Sequence, residues 1–381
     1  MNRVAVRPEL LQWARERAGF EISDLEPRFP RLEAWERGDV QPTLKQVEQF
    51  ARATYAPVGF LFLDQIPVEI VPIPDFRTMS NRHVGHPSPD LLDTIYVCQQ
   101  RQEWYADHAR SMGDPPLPFV GSLRAGDDVV AAAATIRNAL NFDVEARRQT
   151  PTWADALRHF IGQADELGIL VMCNGVVHNN NHRHLDPEEF RGFAMADTFA
   201  PLVFINGADT KSAQMFTLAH ELAHIWIGQS ALSDVVPSSV PDRDVERWCN
   251  EVAAELLVPI DRMREEYDPT AELHAEMLRL ARRFKVSTLV ILRRIFDVGG
   301  LTQNDFWAAY HAEVERLCAI PRGSGGNFYL TQAARVSKRF AAALVASTLE
   351  GQTLYQDAFR MLGFSKQSTF HELGRSLGIG A

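Results

Sequence analysis

One run of the sequence constrains the fold more than any other. From Asp209 to Ile227 the residues have the length and apolar spacing of a helix, with Asp209 or Thr210 as its N-cap. Within it, Phe216, Leu218, Ala219, Leu222, Ala223 and Trp226 surround His220, Glu221 and His224. A helix apolar on so many sides must be buried. Imidazoles inside a core are costly unless they find partners, so the rest of the chain must bring partners to them.

His220 and His224 lie four residues apart. At about 3.6 residues per turn their rings leave one face, one turn apart, and can share one ion. Glu221 sits beside them, placed to reach a water held at that ion; this is the H-E-x-x-H pattern of zinc peptidases, with the Glu as general base. A catalytic zinc site takes three protein ligands and leaves a fourth position open. A second predicted helix, 242–257, supplies an acid. Glu246 is the candidate third ligand, with Glu251 and Glu255 as alternatives. Asn250, at i+4 from Glu246, is placed to orient a ligand histidine. Ala253 and Ala254 keep that helix slim enough for close approach.

Around this centre the pattern is mixed. Helices are predicted over 7–19, 43–53 with Thr43 as cap, 88–111 capped by Ser88, and 152–167 closed by Gly168. Shorter helical pieces fall near Ser23 and over 30–36. Three short apolar strands are predicted over 168–173, 190–195 and 201–205. A helix pair covers 270–284 and 287–296, and its apolar stripe (Leu280, Phe284, Leu292, Ile295) implies packing against the catalytic helices. Gly323 to Gly326 reads as a joint before three C-terminal helices. The expected fold is α+β, with four parts: an N-terminal helix-turn-helix module over 1–66, a Pro-rich connector and long helix over 67–120, a zincin-like core over 121–300, and a C-terminal helical module over 301–381.

The sequence resembles the ImmA/IrrE-type zinc metallopeptidases that follow an Xre-like helix-turn-helix. The residues that carry the likeness are Phe204-Ile205-Asn206-Gly207, the run Met215 to His224, and the stretch Glu246 to Pro259. It extends to Trp35-Glu36-Arg37-Gly38, Pro42-Thr43, Pro74-Asp75-Phe76-Arg77 and Asn327-Phe328-Tyr329. The resemblance implies that His220, His224 and Glu246 bind Zn2+ and that Glu221 is catalytic. It also implies a narrow protein substrate, such as a repressor or a toxin-system protein. Some long relatives look instead like antitoxins beside a PIN-like toxin. Two functions therefore stand: a regulatory metalloendopeptidase, and a binding protein that sequesters a cognate toxin without cutting it.

Charge narrows the partners. The chain of 381 residues has a formal net charge of -10, which excludes a general polyanion binder. Through Gln65 there are nine Lys and Arg against ten Asp and Glu, so DNA contact would rest on Arg28, Arg31 and Arg37 alone. From Ile320 onward seven basic residues face three acidic ones, either a solvated face or a docking surface for an acidic partner. In the loop Val177 to His184, His182 is the candidate for substrate or oxyanion contact, against the plainer reading of a solvated hairpin. The strand ending at Ile205 is expected beside the cleft, where substrate backbone would add to it. The four cysteines are dispersed, and no signal peptide or membrane span is read, so the expected location is the cytoplasm.

Overall fold

The structure is a computed structural model; it describes residues 3–75, 87–233, 244–318, 335–364 and 366–379. The joint at 323–326 and the stretches 76–77 and 327–329 lie outside the described residues. The chain divides into two compact units, one of residues 1–72 with 82–95, the other of 73–81 with 96–381.

The first unit is helical. Pro8–Arg17, Ile22–Leu25, Leu32–Glu36 and Leu44–Ala53 are followed by a 3-10 turn, Val58–Phe62. Leu10, Leu11, Trp35, Val47 and Phe50 make its core. Thr43 caps the fourth helix, its hydroxyl accepting from the Gln46 amide while the Gln46 side chain answers the Thr43 amide. The Arg15 guanidinium grips both Glu36 carboxylate oxygens, at 2.8 and 3.0 Å, and fixes the first helix to the third.

The second unit is built on a four-stranded sheet: β1 Leu170–Asn174, β2 Gly192–Met195, β3 Leu202–Asn206 and β4 Ala231–Ser233, in the order β1-β3-β2-β4. β1 and β3 run parallel, and β2 is antiparallel to both β3 and β4. Nearly every strand residue is buried, which is why these segments read as continuous apolar runs rather than alternating ones. β4 was not anticipated, because three residues carry no periodicity. The strand order corrects the expected substrate edge. β3 lies inside the sheet with both edges hydrogen-bonded, so no further strand can add to it.

Helices cover the sheet. Trp153–Leu167 is capped by Thr152 and ends at Gly168, whose φ of 110° only glycine adopts without strain. Lys211–Trp226 carries the histidine motif, and Asp244–Leu257 carries Glu246. The latter packs between the motif helix and Val129–Leu140. Helices Leu273–Phe284 and Thr288–Asp297 join the same core through Leu280, Phe284, Ile291 and Ile295, and Gln303–Cys318 adds Phe306. The three C-terminal helices, Lys338–Leu349, Tyr355–Leu362 and Gln367–Ser376, are tied to this unit by Asp165. Its carboxylate accepts from the Ser337 hydroxyl at 2.6 Å and the Arg339 amide at 2.9 Å. The stripe Val336, Phe340, Leu344, Ser347 is buried. Among the described residues, no helix is long and apolar enough to cross a membrane.

Candidate metal centre

Thr210 starts the motif helix by accepting from the Ala213 amide at 3.2 Å. Every residue from Gln214 to Trp226 is buried, so the helix runs through the core rather than over it. His220 and His224 leave the face that meets the ligand helix. Glu246, in that helix's first turn, reaches both: Oε2 lies 3.3 Å from His220 Nε2 and Oε1 lies 3.0 Å from His224 Nε2. The two Nε2 atoms are 3.1 Å apart.

These separations test the site against a metal. Bonds of 2.0–2.1 Å at tetrahedral angles place neighbouring ligand atoms about 3.3 Å apart. The three distances fall close to that edge, and the donor set of two imidazoles and a carboxylate is one that zinc takes. The ligand atoms of His220, His224 and Glu246 thus form a cluster able to hold one metal ion.

The second coordination sphere is ordered as the chemistry requires. Asn250 Oδ1 lies 3.0 Å from His220 Nδ1. An amide oxygen only accepts, so Nδ1 carries the proton and Nε2 keeps its lone pair for the cluster. Of the other acids, Glu255 is occupied elsewhere: it pairs with the buried Arg294 and accepts from the Ile260 amide at 3.1 Å. Glu251 is half-buried and is not part of the cluster.

Glu221 stands apart from the ligands. It is fully buried, and neither carboxylate oxygen has a hydrogen-bond partner of ordinary geometry. Burial, and then the negative charge of Glu246, raise its pKa well above the ordinary glutamate value, while the Ser233 hydroxyl acts the other way. Glu246 responds oppositely: burial works against its charge, but His220 and His224 hold its carboxyl well below the usual range. For His224, burial favours the neutral ring that a metal ligand needs, against the pull of Glu246.

Two residues of this centre escaped sequence reasoning. Gly192 opens β2 directly against the motif helix. A Cβ there would lie 2.5 Å from Thr217 Cγ2, 2.8 Å from the Phe204 carbonyl and 3.3 Å from Glu221 Oε1. Its signal was a glycine inside a strand, a mark of close backbone approach. Ser233 gave no signal, because it follows the motif by nine residues and meets Glu221 only through β4.

Other candidates lie elsewhere. His182 is exposed in the hairpin closed by Val176 and His184. The same hairpin is docked on the C-terminal helices, with Asn179 Nδ2 donating to the Gly363 carbonyl at 2.8 Å. Arg28, Arg31 and Arg37 are exposed on the first unit. Arg28 lies over the Phe29 ring, and Arg37 pairs with Glu33 and Asp39.

Comparison with known proteins agrees with the geometry. Residues 164–296 match the IrrE N-terminal-like domain, Peptidase_M78. Residues 336–376 match a domain of unknown function, DUF8813. Over 94 residues the chain is 36% identical to the radiation response metalloprotease IrrE of Deinococcus radiodurans. That similarity takes in 23% of this chain and 28% of the relative's length. Part of the chain is thus similar to the zinc-peptidase-like domain of the IrrE kind, and the matched stretch contains the whole His220–His224–Glu246 cluster.

Proposed function

We propose that the chain is a zinc metalloendopeptidase that cuts a specific protein partner, such as a repressor or a toxin-system protein. The observation that carries this reading is Glu221: a fully buried carboxylate with the Ser233 hydroxyl near it and no hydrogen bond of ordinary geometry, beside a three-ligand cluster. A structural zinc site closes its fourth position with protein and needs no such base. A buried acid so weakly satisfied is costly, which fits a group kept for a reactant.

His220, His224 and Glu246 would hold the ion, which when bound supplies Lewis acidity toward a peptide carbonyl and a water. Asn250 fixes the His220 ring. Glu221 takes the proton of the attacking water on a carboxylate oxygen as the new C–O bond forms. It then delivers that proton to the peptide nitrogen as the C–N bond breaks.

A second reading, capture of a cognate toxin without cleavage, draws on one observation: His220, Glu221 and His224 are wholly shielded from solvent. DNA contact by the first unit would rest on Arg28 and Arg31, since Arg37 is engaged by two acids. The test is a comparison of new protein N-termini in cells carrying the wild type or Glu221→Gln. The expected outcome is one or a few cleavage products that disappear in the variant, a loss of at least about a hundredfold. Identical N-termini from both, with zinc bound to both, would overturn the peptidase reading in favour of capture.

A further inference from the structure

A peptide that binds by strand addition needs a free sheet edge beside the base. Here the chain has filled that edge itself. Gly192, the β2 residue that lies against Glu221, pairs with Ile205 of β3 on one side and Ser233 of β4 on the other. The β4 register continues through Phe193 with Leu232 and Ala194 with Ala231. The outer edge of β4 is taken as well. The Leu232 amide donates to the Pro74 carbonyl at 2.8 Å, and Asp75 forms a parallel bridge with Leu232. Ile73 is buried beside them, and all three β4 residues are fully buried.

We propose that Ala231–Ser233 is an autoinhibitory strap, latched by Ile73–Asp75, which must leave the edge of β2 before a peptide can reach Glu221 and the metal cluster. The proposal rests on the peptidase reading for what enters the site, though not for the strap itself. The strap is three residues long and its latch is a short bridge, so few backbone pairings hold it in place. The latch follows directly on Pro72, the last residue of the first stretch of the first unit.

The experiment uses the full chain loaded with one equivalent of zinc. Ala194→Cys with Ala231→Cys places two thiols on residues directly opposite across β2 and β4, where oxidation locks the strap. Ile73→Asp unlatches it. Two rates are read: hydrogen exchange at Leu232 by mass spectrometry, and zinc removal by EDTA. The oxidised lock should slow both by at least about tenfold, with recovery on reduction by a phosphine, and Ile73→Asp should speed both by a similar factor. If Ile73→Asp fails to fold, the lock decides alone. Unchanged rates in a chain whose disulfide is verified by mass would overturn the strap. So would full-rate peptide cleavage by the locked chain, leaving the peptidase reading intact. Rates that move as expected with no cleavage in any state would support the strap and sink the peptidase reading.

Discussion

Asn250 Oδ1 and His220 Nδ1 lie 3.0 Å apart, joining two helices through one hydrogen bond at the outer side of the metal cluster. The contact decides the tautomer of His220. Asn250→Ala leaves the ring free to rotate or to protonate at Nε2. Zinc affinity should fall about 10- to 100-fold, read by competition with a chromogenic chelator, while His220→Ala with His224→Ala should abolish stoichiometric zinc. Full zinc retention by the double variant would remove the site from these residues.

Gly192 predicts a steric result. A methyl there meets Thr217, the Phe204 carbonyl and Glu221 at once. These neighbours have little room to swing away, because one is backbone and the other two are buried in the motif helix. Gly192→Ala should lower stability by about 1–3 kcal/mol in denaturant melts, the usual range for overpacking. Combining it with Thr217→Ser, which removes the methyl in closest contact, should recover part of the loss.

Arg294 anchors the far end of the ligand helix. It pairs with Glu255 and donates through Nε to the Val258 carbonyl at 2.9 Å. Both partners of the pair are buried. Arg294→Met leaves Glu255 charged in the core and should cost about 3–5 kcal/mol. Adding Glu255→Gln should return much of that cost, because the stranded charge is gone. Equal stability of the single and double variants would show that the pair is not coupled.

Acid sensitivity should show at Glu276. Chiefly the hydrogen bonds from Arg279, at 2.7 Å to each carboxylate oxygen, hold its pKa below the ordinary value of 4.5. A carboxyl whose folded pKa is depressed stabilises the fold above its unfolded pKa and loses that contribution as pH falls through the folded value. Arg279 is half exposed, so solvent limits the effect to about 0.5–1 kcal/mol at neutral pH. Glu276→Gln should therefore be less stable than wild type at pH 7, and the difference should shrink below about pH 4.5. A gap that widens in acid would contradict the assignment.

What the sequence determined by itself was everything carried by local spacing. His220 and His224 had to share a face, because four residues make one helical turn. Their apolar surroundings had to be buried, and an acid and an amide four apart on a second helix offered Glu246 and Asn250 together. Caps at Thr43, Ser88, Thr152 and Thr210, and the stop at Gly168, were legible for the same reason. Only the tertiary structure decided what depends on residues distant in the chain. β4 is too short to show a period, and its register with β2 is set by packing across 37 to 41 residues of sequence. Among the three acids Glu246, Glu251 and Glu255, Glu255 is engaged by Arg294, from a helix beyond all of them. The position of β3 inside the sheet, and the closure of the edge beside Glu221, follow from strand order. Periodicity does not encode strand order, because it describes which face of an element is buried and not which neighbour buries it.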